Sequence, residues 1–184
     1  MELQEWIDGV FEETDTDYTI AGMNILYKNE EDYLKKGVEL LCDKVKPTSV
    51  LEFGFGMGWT ATEFQEQGVN RHVILEPNKQ NYQMALDWKA NYSTDIEILN
   101  IFSWNYNSDE TFDLVYDDRV PLTNDSEAIH KTKMEEIIDD DQWLSRNADV
   151  KVNDIENIVG HPIAFSINGT EYVQYLIKGL YGNS

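Results

Sequence analysis

The sequence predicts an α/β fold in which a mainly parallel sheet, with helices on both faces, ends in an antiparallel β-hairpin. Between residues 30 and 139, short apolar runs typical of buried strands alternate with runs typical of helices. Near the C-terminus, Asn168 and Gly169 separate two apolar runs, a strong signal for a tight turn between paired strands. Since no repeat, low-complexity tract or Pro/Gly-rich linker divides the chain, we expect one domain over residues 1–184.

Each element of this fold is predicted from its own pattern. Residues 30–45 are predicted as a helix because the apolar residues at 34, 38, 41 and 45 have helical spacing and Pro47 follows. Further helices are predicted at 60–68, 81–92 and 126–139. Strands are predicted at 49–55, 72–78, 95–101, 112–118 and 148–154. The hairpin strands are predicted within 161–167 and 171–180.

The chain is expected to have three parts. Residues 1–29 form an N-terminal arm with an amphipathic start, in which Trp6 belongs either to a lid or to an anchor against the body. Residues 30–145 form the core that carries a cofactor site, and residues 146–184 supply short C-terminal strands.

The composition indicates an acidic globular protein. Hydrophobic residues make up 41% of the chain, and 14 Lys and Arg against 35 Asp and Glu give a net charge of -21. A field of this sign repels nucleic-acid phosphates and anionic lipids, so we expect neither nucleic acid nor a membrane as a partner. The chain has neither a long apolar run nor a basic, apolar start typical of a signal peptide, which predicts a cytoplasmic protein. Its oligomeric state is left open.

The cysteine and the histidines point to structural roles. Cys42, the single cysteine, is expected on the buried face of a helix. His72 is expected to begin a strand and His161 to lie in a turn, while His130 is expected to face solvent or to pack. Because these residues have no metal-ligand spacing, no metal site is expected.

A glycine-rich segment, VLEFGFGMG at residues 50–58, lies between a predicted strand and a predicted helix. Its glycines could make only a tight turn, or they could let a ligand approach the backbone closely. Glu52 precedes the loop, and Glu76 ends the next strand at about the 20-residue offset at which an acid reaches ribose hydroxyls in nucleotide-binding βαβ units. This combination favours a nucleoside-bearing cofactor.

The spacing of the glycines distinguishes between cofactors. A dinucleotide fingerprint reads G-x-G-x-x-G, whereas Gly54, Gly56 and Gly58 are spaced two and two. The carboxylate of Glu52 would repel a pyrophosphate, but it suits the cationic amino-acid part of S-adenosyl-L-methionine. We therefore expect that cofactor, and a methyltransferase rather than a dehydrogenase.

These segments resemble the guanidinoacetate N-methyltransferase family and its protein-arginine relatives. VLEFGFGM is similar to the family's V-L-E-x-G-F-G-M loop, and HVILEPN at residues 72–78 has its H-x-x-I-x-E-x-N spacing. IAGMNILYKNEEDYL, residues 20–34, is similar to its entry segment, and FDLVYDDRVPL, residues 112–122, to its F-D-G-I-L-Y-D-T-Y-P-L strand and loop. The resemblance covers residues 18–135 and implies a Rossmann-like class I methyltransferase.

The resemblance also implies roles for individual residues. Those implied to bind the cofactor are Glu52, Gly54, Phe55, Gly56, Met57, Gly58, Glu76, Pro77, Asn78, Phe102, Ser103, Trp104, Leu26 and Leu34. Glu30 and an acid of the fourth strand fall where the family holds the guanidino group. An alignment without gaps selects Asp118 as that acid and a one-residue shift selects Asp117; we prefer Asp118.

The expected activity is N-methylation of a small guanidino or amino compound. A guanidinium nitrogen has no free lone pair, so Asp118 or Asp117 is predicted to take its proton while Glu30 orients it. The chain departs from the family at Tyr27 and Asn29, has no L-K-P-G-G after the fourth helix, and has a shorter final third. These departures support two alternatives: a different small acceptor, or a non-catalytic protein that binds the cofactor or acts as a scaffold.

Overall fold

The computed structural model describes residues 2–119, 122–137, 142–147 and 161–178. Its helices are α1 (Leu3–Asp8), α2 (Glu31–Val45), α3 (Trp59–Glu66), α4 (Lys79–Lys89) and α5 (Asn124–Ile137). Its strands are β1 (Phe11–Glu13), β2 (Asp17–Ile20), β3 (Met23–Tyr27), β4 (Ser49–Phe53), β5 (Arg71–Leu75), β6 (Asp95–Leu99), β7 (Leu114–Asp117), β8 (Trp143–Asn147), β9 (His161–Ile167) and β10 (Thr170–Lys178). Short 3₁₀ turns lie at Lys28–Glu30 and Ser103–Asn105.

The larger sheet has the strand order β6-β5-β4-β7-β8-β10-β9. Its first five strands are parallel, and β10 pairs antiparallel with both β8 and β9. The predicted fold class is confirmed. From β4 the chain builds outward through β5 and β6 and then returns to place β7 on the other side of β4. Such a switch point opens a crevice at the carboxyl ends of the strands, where ligands bind in open α/β sheets.

The C-terminal hairpin forms where the sequence predicts it. Asn168 and Gly169 connect β9 to β10 with φ angles of 51° and 82°. A two-residue turn whose twist matches that of paired strands needs positive φ at both central residues. Asparagine followed by glycine adopts these angles at low cost.

The core lies on both faces of the sheet because successive residues of a strand point to opposite sides. Val50 of β4 packs in one buried cluster with Val38 of α2 and Phe64 of α3. Its neighbour Leu51 packs in another cluster on the opposite face. Cys42 lies in the first cluster, as predicted, and burial raises the pKa of its thiol to about 12.

The N-terminal arm has more structure than the sequence predicts. After α1, the strands β1, β2 and β3 form a separate antiparallel sheet in that order. Trp6 of α1 is buried in a cluster with Ile20 and Phe102, so it anchors the arm against the core.

The fifth parallel strand of the sheet is β8. The predicted strand at 148–154 falls outside the part of the chain that the structure describes. Strand β8 instead pairs with β7, with Trp143 opposite Leu114 and Arg146 opposite Asp117. The sequence pattern predicts no helix or strand for these five residues, because so short a segment beside an acidic run shows little hydrophobic periodicity.

Across the described residues, no helix combines the length and the apolar character needed to cross a membrane.

Candidate functional site

A cleft lies at the carboxyl ends of β4, β5 and β7, where the strand order reverses. It encloses about 900 Å³ of space between atoms, a figure that includes open solvent at its mouth. Residues of the loops after these strands line it, and so do Trp6 of α1, Leu26 of β3 and Leu34 of α2.

The glycine loop after β4 lines this cleft. Its conformation fits both roles of the glycines, a tight turn and a backbone that a ligand can approach closely. Gly54 has a φ of 84°, and a Cβ built there meets nothing within 4 Å. Gly56 has a φ of 54°, and a Cβ there would lie 2.9 Å from Leu26 Cδ1. The loop therefore makes a tight turn, presses against the N-terminal arm, and leaves open space beside its backbone.

Glu76, at the end of β5, is buried against this loop and lines the cleft. Its Oε2 accepts a 2.8 Å hydrogen bond from the backbone N–H of Phe55, and its Oε1 accepts a 2.8 Å bond from that of Asn78. Burial raises the pKa of Glu76 to about 7, although backbone N–H groups, including that of Gly56, oppose the shift. The two carboxylate oxygens together offer more lone pairs than these backbone N–H groups use, so the carboxylate can also accept from a ligand hydroxyl.

Glu52, near the end of β4, also lines the cleft and is held by a buried network. Its Oε1 accepts a hydrogen bond from the Thr60 hydroxyl, and its Oε2 lies 2.9 Å from His72 Nε2. Gln65 Nε2 lies 3.1 Å from His72 Nδ1 and, as an amide nitrogen, can only donate. His72 Nδ1 is therefore the acceptor, and its Nε2–H donates to Glu52.

The two adjacent acids at the end of β7, Asp117 within the strand and Asp118 just after it, are placed differently. Asp118 lines the cleft. Asp117 is buried, with its Oδ2 3.2 Å from His130 Nε2 and its Oδ1 3.2 Å from Arg119 Nε. The alternation of side chains along an extended backbone accounts for this separation. It agrees with the preference for Asp118 as the acid that faces a ligand.

His130 is buried rather than solvent-facing. Its Nδ1 lies 2.6 Å from the Ser103 hydroxyl, and its ring packs edge-on against Phe53 with centroids 5.5 Å apart. It thus connects β7, through Asp117, to the 3₁₀ turn that follows β6.

The other predicted residues lie in or near the cleft. Phe55, Met57, Pro77, Phe102, Ser103 and Trp104 line it. The rings of Phe102 and Trp104 stack with centroids 4.4 Å apart. Asn78 is buried and caps α4: its Oδ1 accepts from the Asn81 N–H, and its Nδ2 donates to the carbonyl oxygen of Trp6. Gly58 precedes α3 as its N-cap with a φ of 72°.

Glu30 is placed differently. It lies in the 3₁₀ turn between Leu26 and Leu34, both of which line the cleft, but it is not itself among the lining residues that the structure describes. Its Oε2 accepts a 2.8 Å hydrogen bond from the backbone N–H of Tyr27. Its carboxylate thus stabilises the local turn, and its predicted contact with an acceptor remains a prediction.

Several residues at the cleft were not predicted from the sequence. Thr60, Asn81, Tyr116 and Arg119 all line it. For Thr60 and Asn81, the sequence signal for a place at the cleft was their position in the first turns of helices that follow the predicted ligand-binding loops. Two buried polar atoms of cleft-lining residues, Trp6 Nε1 and Asn81 Oδ1, have no hydrogen-bond partner among the residues that the structure describes.

Comparison with known proteins identifies the class. The crevice at the switch point, the glycine loop and the acid at the end of β5 are typical of a Rossmann-like nucleoside-binding protein. The model of the family described as guanidinoacetate N-methyltransferase matches residues 3–154. The chain belongs to the guanidinoacetate N-methyltransferase family.

Solved structures show the same fold. N-methyltransferase NodS from Bradyrhizobium japonicum WM9, in complex with S-adenosyl-L-homocysteine, has a TM-score of 0.62 at 11% identity, covering 83% of this chain and 88% of that one. The 1,6-didemethyltoxoflavin-N1-methyltransferase of Burkholderia thailandensis, with S-adenosylhomocysteine bound, has a TM-score of 0.62 at 9% identity, covering 82% and 80%. A ribosomal protein L11 methylase from Lactobacillus delbrueckii subsp. bulgaricus has a TM-score of 0.59 at 16% identity, covering 84% and 81%. Family and fold together identify a methyltransferase whose cofactor is S-adenosylmethionine.

Proposed function

We propose that the protein transfers a methyl group from S-adenosylmethionine to a nitrogen of a small guanidino or amino compound. One observation carries the proposal: Asp118 lines the same cleft as Gly54 and Glu76. An acid that can take a proton from the acceptor thus faces the space in which the cofactor is expected.

The residues of the cleft fit the cofactor. The Glu76 carboxylate can accept from ribose hydroxyls, and the open space beside Gly54 admits a ligand close to the backbone. The unpartnered Trp6 Nε1–H and Asn81 Oδ1 offer one donor and one acceptor to a ligand. These features support the cofactor assignment from this chain's own atoms.

The charge of the cleft supports a cationic acceptor. Glu52, Glu76 and Asp118 contribute three carboxylates to its described lining, and Arg119 contributes the one arginine, 3.2 Å from Asp117. A cation near several carboxylates lowers their mutual repulsion, so this lining favours a protonated guanidine or amine over an anionic acceptor.

The transfer needs alignment, exclusion of water and a base. When bound, the cofactor supplies a methyl group on a positively charged sulfur. The stacked Phe102 and Trp104 and the buried Trp6 give the cleft an aromatic lining, and apolar surface of this kind favours the exclusion of water from a bound complex. Asp118 accepts the proton that the acceptor nitrogen loses, while Asp117, held by His130 and Arg119, fixes the end of β7.

The test is a panel of small guanidines and amines, assayed for the release of S-adenosylhomocysteine. Wild-type protein is expected to turn over at least one member, and Asp118→Asn to lose about 10²- to 10⁴-fold in turnover with nearly unchanged cofactor affinity. Asp109→Asn, at an exposed acid, is the matched control and is expected to keep wild-type activity.

Three outcomes would contradict the proposal. Cofactor binding without turnover of any member would support the non-catalytic alternative. Full activity of Asp118→Asn with a loss in Asp117→Asn would assign the base to Asp117. Full activity of both variants would exclude this mechanism.

A further inference from the structure

His130 is a buried histidine of α5 that contacts three other elements near the cleft. It is 1% exposed. Its Nδ1 lies 2.6 Å from the hydroxyl of Ser103, in the turn after β6, and its Nε2 lies 3.2 Å from Oδ2 of Asp117, the last residue of β7. Its ring packs edge-on against Phe53, the last residue of β4. Since β4 and β7 pair at the switch point of the sheet, one side chain joins both strand ends to the turn beyond β6.

The hydrogen bonds of this ring have a defined direction. An ionised carboxylate can only accept, so the ring donates from Nε2–H to Asp117 Oδ2. In the neutral ring Nδ1 is then the acceptor, and the hydroxyl of Ser103 donates to it. The two nitrogens of one rigid ring thus fix the distance between Asp117 and Ser103.

Asp117 passes this constraint on to the cleft. Its Oδ1 lies 3.2 Å from Arg119 Nε, so both of its carboxylate oxygens are held. Asp118 is the next residue along the backbone and lines the cleft, as Arg119 does. Because the side chain of Asp117 is held at both oxygens, the backbone that carries Asp118 has little freedom to turn.

We propose that His130 is a positioning residue for methyl transfer, because it holds Asp117 and thereby sets the direction in which Asp118 faces the acceptor. The inference rests on the proposed function, in which Asp118 takes the proton of the acceptor. His130 is not among the described residues that line the cleft, so it acts through Asp117 rather than on the acceptor itself. Misplacing a reacting group by about 1 Å can lower a rate by about 100-fold, so losing this hold is expected to reduce turnover more than binding.

Conservative variants separate the two hydrogen bonds of the ring. In His130→Gln the amide nitrogen falls close to the position of Nε2 and can still donate to Asp117. In His130→Asn the amide falls close to the position of Nδ1 and reaches only Ser103. His130→Ala removes both bonds.

The assay is the release of S-adenosylhomocysteine with the acceptor that wild type turns over best, together with calorimetric binding of S-adenosylhomocysteine. His130→Ala and His130→Asn are expected to lose about 10- to 100-fold in kcat, with the KM for S-adenosylmethionine and the affinity for S-adenosylhomocysteine within about threefold of wild type. His130→Gln is expected to recover kcat to within about fivefold of wild type. Ile129→Ala, at an exposed position of the same helix, is the matched control and is expected to keep the wild-type kcat.

Nitrogen NMR of isotope-labelled histidine tests the hydrogen bond directly. The His130 signals, identified by their absence from His130→Gln, are expected to show a proton on Nε2. A ring without that proton would overturn the inference. A loss of kcat in His130→Gln as large as in His130→Asn would also overturn it and assign His130 to packing alone. If wild type turned over no acceptor of the panel, the proposed function would fail and this inference with it, whereas an active wild type with unchanged kcat in His130→Ala would refute the inference alone.

Discussion

Removing the Glu76 carboxylate tests the cofactor site most directly. Glu76→Ala deletes a carboxylate that lines the cleft, along with the acceptors for the backbone N–H groups of Phe55 and Asn78. Those two backbone bonds exist without a ligand, so to first order they cancel in the binding equilibrium. The ribose contact does not cancel, and its loss is expected to weaken binding by about 1 to 3 kcal/mol, or about 5- to 150-fold.

The same carboxylate predicts a pH dependence of binding. Its pKa is raised from 4.5 to about 7 by burial, and only the ionised form accepts from both hydroxyls. Affinity for S-adenosylhomocysteine is therefore expected to rise with pH up to about 7, by at most tenfold per pH unit for one proton, and to level off above it. In Glu76→Ala this dependence disappears.

The raised pKa has the opposite effect on stability. Because the folded protein binds this proton more tightly than the unfolded chain, the stabilisation is fully present below about pH 4.5 and is lost as pH rises through about 7. A shift of this size corresponds to on the order of 3 kcal/mol. Glu76→Ala removes that contribution, but it also leaves two buried N–H groups without acceptors.

Calorimetric titration with S-adenosylhomocysteine between pH 6 and 9 is the assay, with thermal unfolding of the free proteins as the control for folding. Glu66→Ala, which removes an exposed acid of α3, is the matched control and is expected to bind as wild type. Unchanged affinity in Glu76→Ala, or a wild-type affinity independent of pH below 7, would refute the reasoning.

Two further substitutions test how the site is built. Gly56→Ala places a Cβ 2.9 Å from Leu26 Cδ1 at a φ of 54°, so it is expected to weaken binding of S-adenosylhomocysteine by about 1 kcal/mol or more in the same titration; wild-type binding would show that the close approach is not needed. His72→Leu removes a hydrogen-bond donor to a buried carboxylate and is expected to lower the free energy of unfolding by about 1 to 3 kcal/mol in urea. A loss below 1 kcal/mol would mean that the Glu52–His72 pair contributes little.

Much of the fold was determined by the sequence itself. The alternation of apolar strands with helices fixed the parallel sheet, and Asn168-Gly169 fixed the hairpin because few other residue pairs adopt two positive φ angles at low cost. The glycine loop and Glu76 could also be predicted from the sequence. A sharp turn from strand to helix needs glycines, and an acid at the end of the next strand is recognised from its position alone.

Other features were decided only by tertiary structure. The sheet of the N-terminal arm and the strand β8 form through pairing with distant residues, and their short segments carry little periodicity of their own. His130 is buried only because β7 and the turn after β6 bring Asp117 and Ser103 to its two nitrogens. Asn81 became a candidate contact only once its oxygen was seen to lack a partner. Periodicity and turn chemistry are local and so can be read along the chain, whereas the partners of a buried polar atom come from segments far apart in sequence.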